Sequence, residues 1–315
     1  MLLLTAQRLG LAILTLFLVS VLIFAGTEIL PGDVATALLG QSATPEALEA
    51  IRRSLGLHDP VVVRYGRWLH DFLSGDVGRS LATGRPIGPE LWLRIQNTFM
   101  LAGIAACIAV PLALALGIAT AVWRNGWFDR VTNVIGLAAI SLPEFFIGYL
   151  LILVIAVHLN WLPSLATVSP GMGVRERLAA MALPAITLIV AVLAYMMRMT
   201  RTAVLAVMSH SYIEMAVLKG VPPWRLVLQH ALPNALAPII QVVAFNLAYL
   251  VVGVVLVEVV FVYPGVGQYL VDAVAKRDVT VVQACGLVFG ATYVGLNVTA
   301  DLLSIFANPR LRYPR

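Results

Sequence analysis

Charge and cysteine are what this sequence has least of. Only 12% of its 315 residues are Asp, Glu, Lys or Arg, and 60% are hydrophobic, where a soluble domain carries about 25% charged and about 45–50% apolar residues. A chain this poor in charge cannot cover itself with polar surface in water, which excludes a soluble globular domain. The two cysteines, Cys107 and Cys285, exclude a disulfide framework and a cysteine zinc site. Both fall inside apolar runs, where a thiol acts as a small hydrophobe. No glycine-rich stretch ends in Gly-Lys-Ser or Gly-Lys-Thr, so this chain has no phosphate-cradling loop for ATP. His58, His70, His158, His210 and His230 are scattered, none forms His-Glu-x-x-His, and no serine has a histidine partner by spacing. That speaks against an intramembrane enzyme. There is no internal repeat, no low-complexity tract and no block of basic residues, so the net charge of +5 does not point to nucleic acid.

What the sequence has instead is long uncharged apolar runs. About 20 helical residues cross a hydrocarbon core of roughly 30 Å. Six spans are expected: Leu9–Ile29, Thr98–Val122, Val131–Val157, Leu178–Met197, Ala235–Val257 and Val279–Ile305. The first is too long for a signal-peptide core and has no small-residue cleavage site before Pro31-Gly32-Asp33, so it is read as a retained anchor. With the N-terminus inside, the short inner segments hold ten basic residues, from Arg8 to Arg315, against Arg175, Arg177, Lys276 and Arg277 outside. The positive-inside rule then predicts cytoplasmic N- and C-termini. The expected fold is an all-α polytopic membrane protein.

Two parts are expected along the chain. Residues 1–92 would form the first span and an extracytoplasmic helical segment, and residues 93–315 a five-helix core. Within the first part, Thr44 as N-cap, Pro45 in the first turn, early Glu46 and Glu49, late Arg52 and Arg53, and Gly56 beyond the end predict a short helix matched to its dipole. Leu48, Ile51 and Leu55 give it an apolar face. A second amphipathic stretch, Val62–Leu73, carries Tyr65, Trp68, Leu69 and Phe72 at helical spacing. Together they are expected to form a small cap on the outer face.

The segment 198–234 between spans four and five has more local design than a connector requires. Ser211-Tyr212-Ile213-Glu214 fits a capping box. A helix should begin at Tyr212 and end at Lys219, because Gly220 accepts the left-handed conformation and Pro222 blocks continuation. A second helix should begin near Pro223 and stop before Pro233. A helix this short is marginal in water, so the apolar side chains Tyr212, Ile213, Ala216 and Val217 must either pack on their own bundle or fill a groove in a partner.

Here the residues carry a resemblance. Ile213-Glu214-Met215-Ala216-Val217-Leu218-Lys219-Gly220, nine residues, then His230-Ala231-Leu232-Pro233 resembles the EAA loop of permease subunits of ABC-type importers. Glu214, Ala216, Gly220, Leu232 and Pro233 match that pattern in place; Met215 and His230 depart from it. Leu30-Pro31-Gly32-Asp33, Leu55-Gly56-Leu57, Gly75-Asp76-Val77-Gly78, Ser141-Leu142-Pro143, Glu258 to Phe261, Pro264-Gly265-Val266-Gly267, Arg277-Asp278 with Gln283, and Asn308-Pro309-Arg310-Leu311-Arg312 extend it over nearly the whole chain. They are similar to the dipeptide, oligopeptide, glutathione and nickel branch.

The resemblance implies a type I importer permease in a bacterial inner membrane, forming half of a pathway for a small peptide or, as an alternative, nickel or a metal chelate. It implies a second homologous permease, two ATP-binding subunits that hold ATP and Mg²⁺, and an extracytoplasmic binding protein, with no cofactor or metal in this chain. It also implies that Tyr212, Ile213, Glu214, Ala216, Val217 and Gly220 couple to an ATP-binding subunit. A self-sufficient secondary transporter is the competing class, hinted at by Glu144 beside Pro143.

Glu144 falls near the middle of span three, where a charge costs about 2.5–3.5 kcal/mol on insertion scales. It is expected either to line the pathway and meet a substrate amine, or to pair with another helix or subunit. Gln241 and Asn246 are candidate pathway groups on span five. Glu258 and Asp272 are expected at a solvated outer rim, where a binding protein could dock. Asp301 is expected to pair with Arg198 or a C-terminal arginine.

Overall fold

The computed structural model describes residues 2–29, 44–54, 56, 58–169 and 171–307. Among them every regular element is a helix, with one isolated bridge between Arg79 and Pro86. Leu30–Asp33, Leu55, Leu57, the run Asn308–Arg312 and the side chain of Ile51 lie outside the described residues. The helices are α1 (Leu2–Ile29), α2 (Pro45–Ser54), α3 (Val61–Leu73), α4 (Ile87–Val122), α5 (Trp127–Ser141), α6 (Glu144–Leu151, continued by a π-helical stretch Ile152–His158), α7 (Val174–Met208), α8 (Ser211–Leu218), α9 (Pro223–Phe261, with a π-helical stretch Leu226–Ala231), α10 (Val266–Ala275) and α11 (Val279–Ala307).

Five helices, α1, α4, α7, α9 and α11, are long and apolar enough to cross a membrane, and the pair α5–α6 makes a sixth span if counted as one. That pair corrects the expected third span, because its halves meet at 101° rather than forming one helix. Pro143 has no N–H to give the helix, and its ring disfavours helical geometry in the residue before it. Leu142 is accordingly extended, at φ −96° and ψ 134°. The other spans outrun their apolar stretches: α4 has 36 residues, α7 has 35 and Pro223–Phe261 has 39, well beyond the roughly 20 that hydrocarbon requires.

The chain divides into two compact units. The first comprises Met1–Leu9, Phe99–Tyr263 and Gly295–Arg315. Its centre is α7, whose Leu183, Leu188, Val192, Met196 and Val204 are almost wholly buried. Helix α4 approaches α7 so closely at Gly117 that a Cβ there would lie 2.7 Å from the Met197 carbonyl and 2.8 Å from the Thr200 Cβ. Small residues permit such crossings where packing, not water, drives helix association. Asp301 pairs with Arg8 at 2.8 Å, where Arg198 or a C-terminal arginine was expected, because the first turns of α1 belong to this unit; the C-terminal arginines lie outside the described residues.

The second unit comprises Gly10–Thr98 and Pro264–Val294. Val19 and Ile23 of α1 pack on Gly290 and Gly286 of α11, and the Gln283 amide donates to the Thr27 hydroxyl at 2.8 Å. Helix α2 starts at Pro45 as expected, and Gly56 turns left-handed at φ +63°. Helix α3 does not cap the end of α1 but lies along it. Tyr65 packs edge-on against Phe17 and Phe24 and shares a 2.7 Å hydrogen bond with Ser20, while Arg64 grips Glu28 through two 2.8 Å bonds. A turn over Ser80–Ala82 is gathered by the buried Asp278 carboxylate, which accepts from the Ser80 hydroxyl and the N–H groups of Leu81 and Ala82.

Candidate functional site

The first unit holds two features that bear on function, a short exposed helix and a cavity at the α5–α6 break. The short helix is α8. Its eight residues leave too few hydrogen bonds for independent stability. What fixes it is Ile213, 1% exposed, which inserts among Ala121, Val204, Val207, Leu226, Val227 and Ala231. Ala216 packs partly against the same cluster. The opposite side is bare: Tyr212 is 44% exposed, Met215 57%, Val217 51% and Leu218 76%. The two expected destinations for these side chains are thus divided, with Ile213 and Ala216 turned into the bundle and Tyr212 and Val217 turned out. Glu214 is exposed.

The helix ends as expected. Lys219 is the C-cap, Gly220 has φ +77°, the Gly220 N–H donates to Val217 at 2.9 Å and the Val221 N–H to Ala216 at 3.2 Å. This is a Schellman closure, and it needs a residue at 220 that tolerates the left-handed region. The start is a correction. His210, not Ser211, is the N-cap, with no side-chain cap bond, and the helix begins at Ser211. The His210 carbonyl takes the N–H groups of Ile213 and Glu214 at 2.9 and 3.3 Å, so the capping box does not form. A second correction concerns Pro233, where α9 does not stop. The preceding π-helical stretch widens the turn, which accommodates a ring that would clash with a regular helix. The connector therefore shrinks from 198–234 to the residues from Ser209 to Pro222.

Helix α7, which leads into α8, also carries a buried ion pair absent from the sequence expectations. Asp129 of α5, 4% exposed, receives Nε and Nη2 of Arg201 of α7, both at 2.8 Å. The Asn125 N–H, in a left-handed turn at φ +64°, and the Asn133 amide add bonds of 2.9 and 2.7 Å. Fork geometry of this kind fixes orientation as well as charge. It ties the α4–α5 turn to the helix that carries α8.

The cavity encloses about 560 Å³ beside the break. Residues Ala139 to Glu144 form one wall, and Tyr195, Asn246 and Tyr249 of α7 and α9 face them. Glu144 opens α6, half-buried, where the positive end of that helix favours a carboxylate. It accepts a hydrogen bond from the Tyr249 side chain. Gly253 lets it lie flat on α9, since a Cβ there would come within 2.8 Å of Oε2. Asn246 lines the cavity, although its amide donates to the Val242 carbonyl at 2.8 Å. Gln241 is elsewhere, bonded to Ser304 at 3.2 Å.

Glu258 is not at a solvated rim: it is wholly buried. The end of α9 folds over it through a left-handed Val262, a Tyr263 N–H bond to the Glu258 carbonyl at 2.8 Å, and an Ala166 N–H bond to the Phe261 carbonyl at 2.8 Å. Burial, then the Glu258 charge, raises the Tyr263 phenol above the ordinary tyrosine range, against the pull of Arg177. Asp272 belongs to the second unit, where it accepts from Gln268 at 3.1 Å and borders a cavity of about 360 Å³ with Arg85, Glu90, Arg94 and Lys276. Tyr249, Gly253 and Asp129 were missed by sequence reasoning. Only the turn signal Asn125-Gly126 ahead of Asp129 hinted at any of them.

Helices that outrun a bilayer, a broken span and a short exposed helix held by its own bundle describe a membrane component of a transporter. Residues 113–313 match the family described as "Binding-protein-dependent transport system inner membrane component", and residues 1–104 match its N-terminal companion, "Binding-prot-dependent transport system membrane comp, N-term". The chain belongs to this family, as a multi-pass protein of the bacterial inner membrane and a transport subunit, not an enzyme in itself. It is 37% identical over 299 residues to the glutathione transport system permease protein GsiC of Pectobacterium atrosepticum, and 38% identical to that of Escherichia coli strain K12, each comparison covering 95% of both chains. An inward-facing structure of the MetNI methionine ABC transporter matches with a TM-score of 0.55 and 19% identity, covering 69% of this chain and 96% of that one. The two share a fold.

Proposed function

We propose that this chain forms half of the translocation pathway of an ATP-driven importer for a small peptide, whether a dipeptide, an oligopeptide or glutathione, and that α8 is where force enters it. The relatives named for glutathione favour a peptide over nickel or a metal chelate. In this reading a second homologous permease completes the pathway, two ATP-binding subunits hold ATP and Mg²⁺, and an extracytoplasmic binding protein delivers substrate. Both termini are cytoplasmic, which the excess of basic residues in the short inner segments supports.

The observation that carries the proposal is the division of α8. Ile213 and Ala216 anchor it to its own bundle, while Tyr212, Glu214 and Val217 are presented to a partner and Gly220 closes the helix. A push on the exposed side reaches α4, α7 and α9 through the cluster around Ile213. Glu144 and Asn246 line the pathway in this reading, and Asp272 borders the surface offered to the binding protein.

Gly220→Pro removes the N–H that reaches Val217 and forbids φ +77°, and Glu214→Lys reverses an exposed charge on α8. Each is expected to leave the importer assembled and hydrolysing ATP while peptide uptake falls. Undiminished uptake by both variants in reconstituted vesicles would remove α8 from the coupling role.

A further inference from the structure

Among the described residues that line the 560 Å³ cavity, Glu144 is the only acidic or basic side chain. The Tyr249 hydroxyl is its donor there, and Ser141, Tyr195 and Asn246 are the other polar side chains of the lining, all of them neutral. The wall that holds Glu144 includes the C-terminal turn of α5, where the Ala139 carbonyl takes the Leu142 N–H at 3.4 Å and the carbonyls of Ile140 and Ser141 lie past the last helical donor. A pocket built from one carboxylate, a phenol and carbonyl ends offers acceptors to a small cation. Gly253 adds a second, independent sign: all three of the nearest atoms that a Cβ would meet there belong to the Glu144 carboxylate, at 2.8, 3.2 and 3.4 Å. A glycine in the middle of a spanning helix costs helix stability, and here its effect is to set where that carboxylate lies.

We propose that the Glu144–Tyr249 pair is an ammonium subsite, which receives the free amino group of the transported peptide inside the permease. The proposal rests on the peptide-importer reading above and deepens it, because it places part of substrate selection in this chain and not in the binding protein alone. A primary ammonium can donate to Glu144 and to the α5 carbonyls while Tyr249 keeps its bond to Glu144. A charge-assisted bond of this kind discriminates by roughly tenfold or more against a ligand that cannot make it. An N-acetylated peptide is such a ligand, since its amide carries no charge and brings a carbonyl towards a carboxylate.

The test uses the assembled importer, both permeases with the ATP-binding subunits, in lipid nanodiscs with the binding protein omitted. Equilibrium dialysis measures retention of glutathione and of N-acetyl-glutathione by the wild type and by Glu144→Gln, Tyr249→Phe and Gly253→Ala. The wild type is expected to hold glutathione about tenfold more tightly, and Glu144→Gln to lose that preference. Gly253→Ala is the variant that guards against misfolding. It favours the helix, and the nearest atoms its Cβ meets are those of the Glu144 carboxylate, so it displaces that group and should narrow the preference several-fold. Equal retention of the two peptides by the wild type, no retention of either, or an unchanged ratio in Glu144→Gln and Gly253→Ala would overturn the subsite. Uptake into vesicles by the same importer with its binding protein separates the two readings. Uptake of glutathione with no amine preference ends the subsite alone, whereas no uptake of any peptide ends the peptide-importer reading and the subsite with it.

Discussion

Replacing Ile213 with alanine isolates the contact by which α8 is held. The side chain is 1% exposed and sits in a cluster contributed by α4, α7 and α9. Isoleucine to alanine removes three carbons, worth about 0.8 kcal/mol each in transfer, and the vacated space adds a further term because the neighbours relax only in part. The sum is about 3 kcal/mol, within the range of roughly 2–5 kcal/mol found for such core truncations. Helix α8 has eight residues and almost no stability of its own, so the loss falls mainly on its docking, and the undocked population rises by about 150-fold at roughly 1.4 kcal/mol per decade. Hydrogen exchange on the lipid-embedded permease reads this directly. The amides of Tyr212 to Leu218 should exchange about 100-fold faster, while those in the middle of α7 keep their protection. Met215→Ala, on the exposed side, should change neither. Unaltered exchange of α8 in Ile213→Ala would show that something other than this cluster holds the helix.

Two further substitutions test the frame around α8. Asp129→Ala leaves Arg201 with its fork unpaired in a site where Asp129 was 4% exposed. Breaking a buried pair costs about 3–5 kcal/mol, and since the Arg201 side chain is 22% exposed we expect about 2–3 kcal/mol, read as a lower melting temperature in detergent. The double variant Asp129→Ala with Arg201→Met should recover part of it, and a double variant no better than the single would contradict the pairing account. Gly117→Val places branched carbon where even a Cβ meets the Met197 carbonyl at 2.7 Å. Backbone cannot swing aside, so the α4–α7 crossing must open at a cost of about 1–3 kcal/mol or more, and a melting temperature equal to wild type would refute that closeness.

Local chemistry was legible where a single turn decides the outcome. Thr44-Pro45 marked the start of α2, and Gly220 marked the Schellman closure of α8, because each depends on a few dihedral angles. The same local logic failed at Ser211, where the capping box was written in the residues but the chain places His210 at the cap and turns Ile213 into the core. Hydropathy located the spans yet not the helices. It stops at the first charge, whereas α7 continues past Arg198 and Arg201 because Asp129 receives the second of these. The break at Leu142-Pro143 was visible as a proline and not as a bend, since a proline in a helix can equally be absorbed, as Pro111 and Pro184 are. Glu258 was placed by its distance from the end of a span, and no such count reveals that the chain folds back over it. The pairing of Glu144 with Tyr249 and Gly253 joins residues about a hundred positions apart, a separation that no periodicity reports.

In the importer reading the permease moves a peptide only when partner subunits act on α8. The direct measurement is accumulation of labelled glutathione in vesicles that contain the complete importer with its binding protein inside-out and right-side-out populations resolved, with ATP present or withheld and with Gly220→Pro beside the wild type. The account predicts accumulation by the wild type that requires both ATP and the binding protein, and its loss in Gly220→Pro while ATP hydrolysis continues. Accumulation by this chain alone, or by the complete importer without ATP, would contradict it.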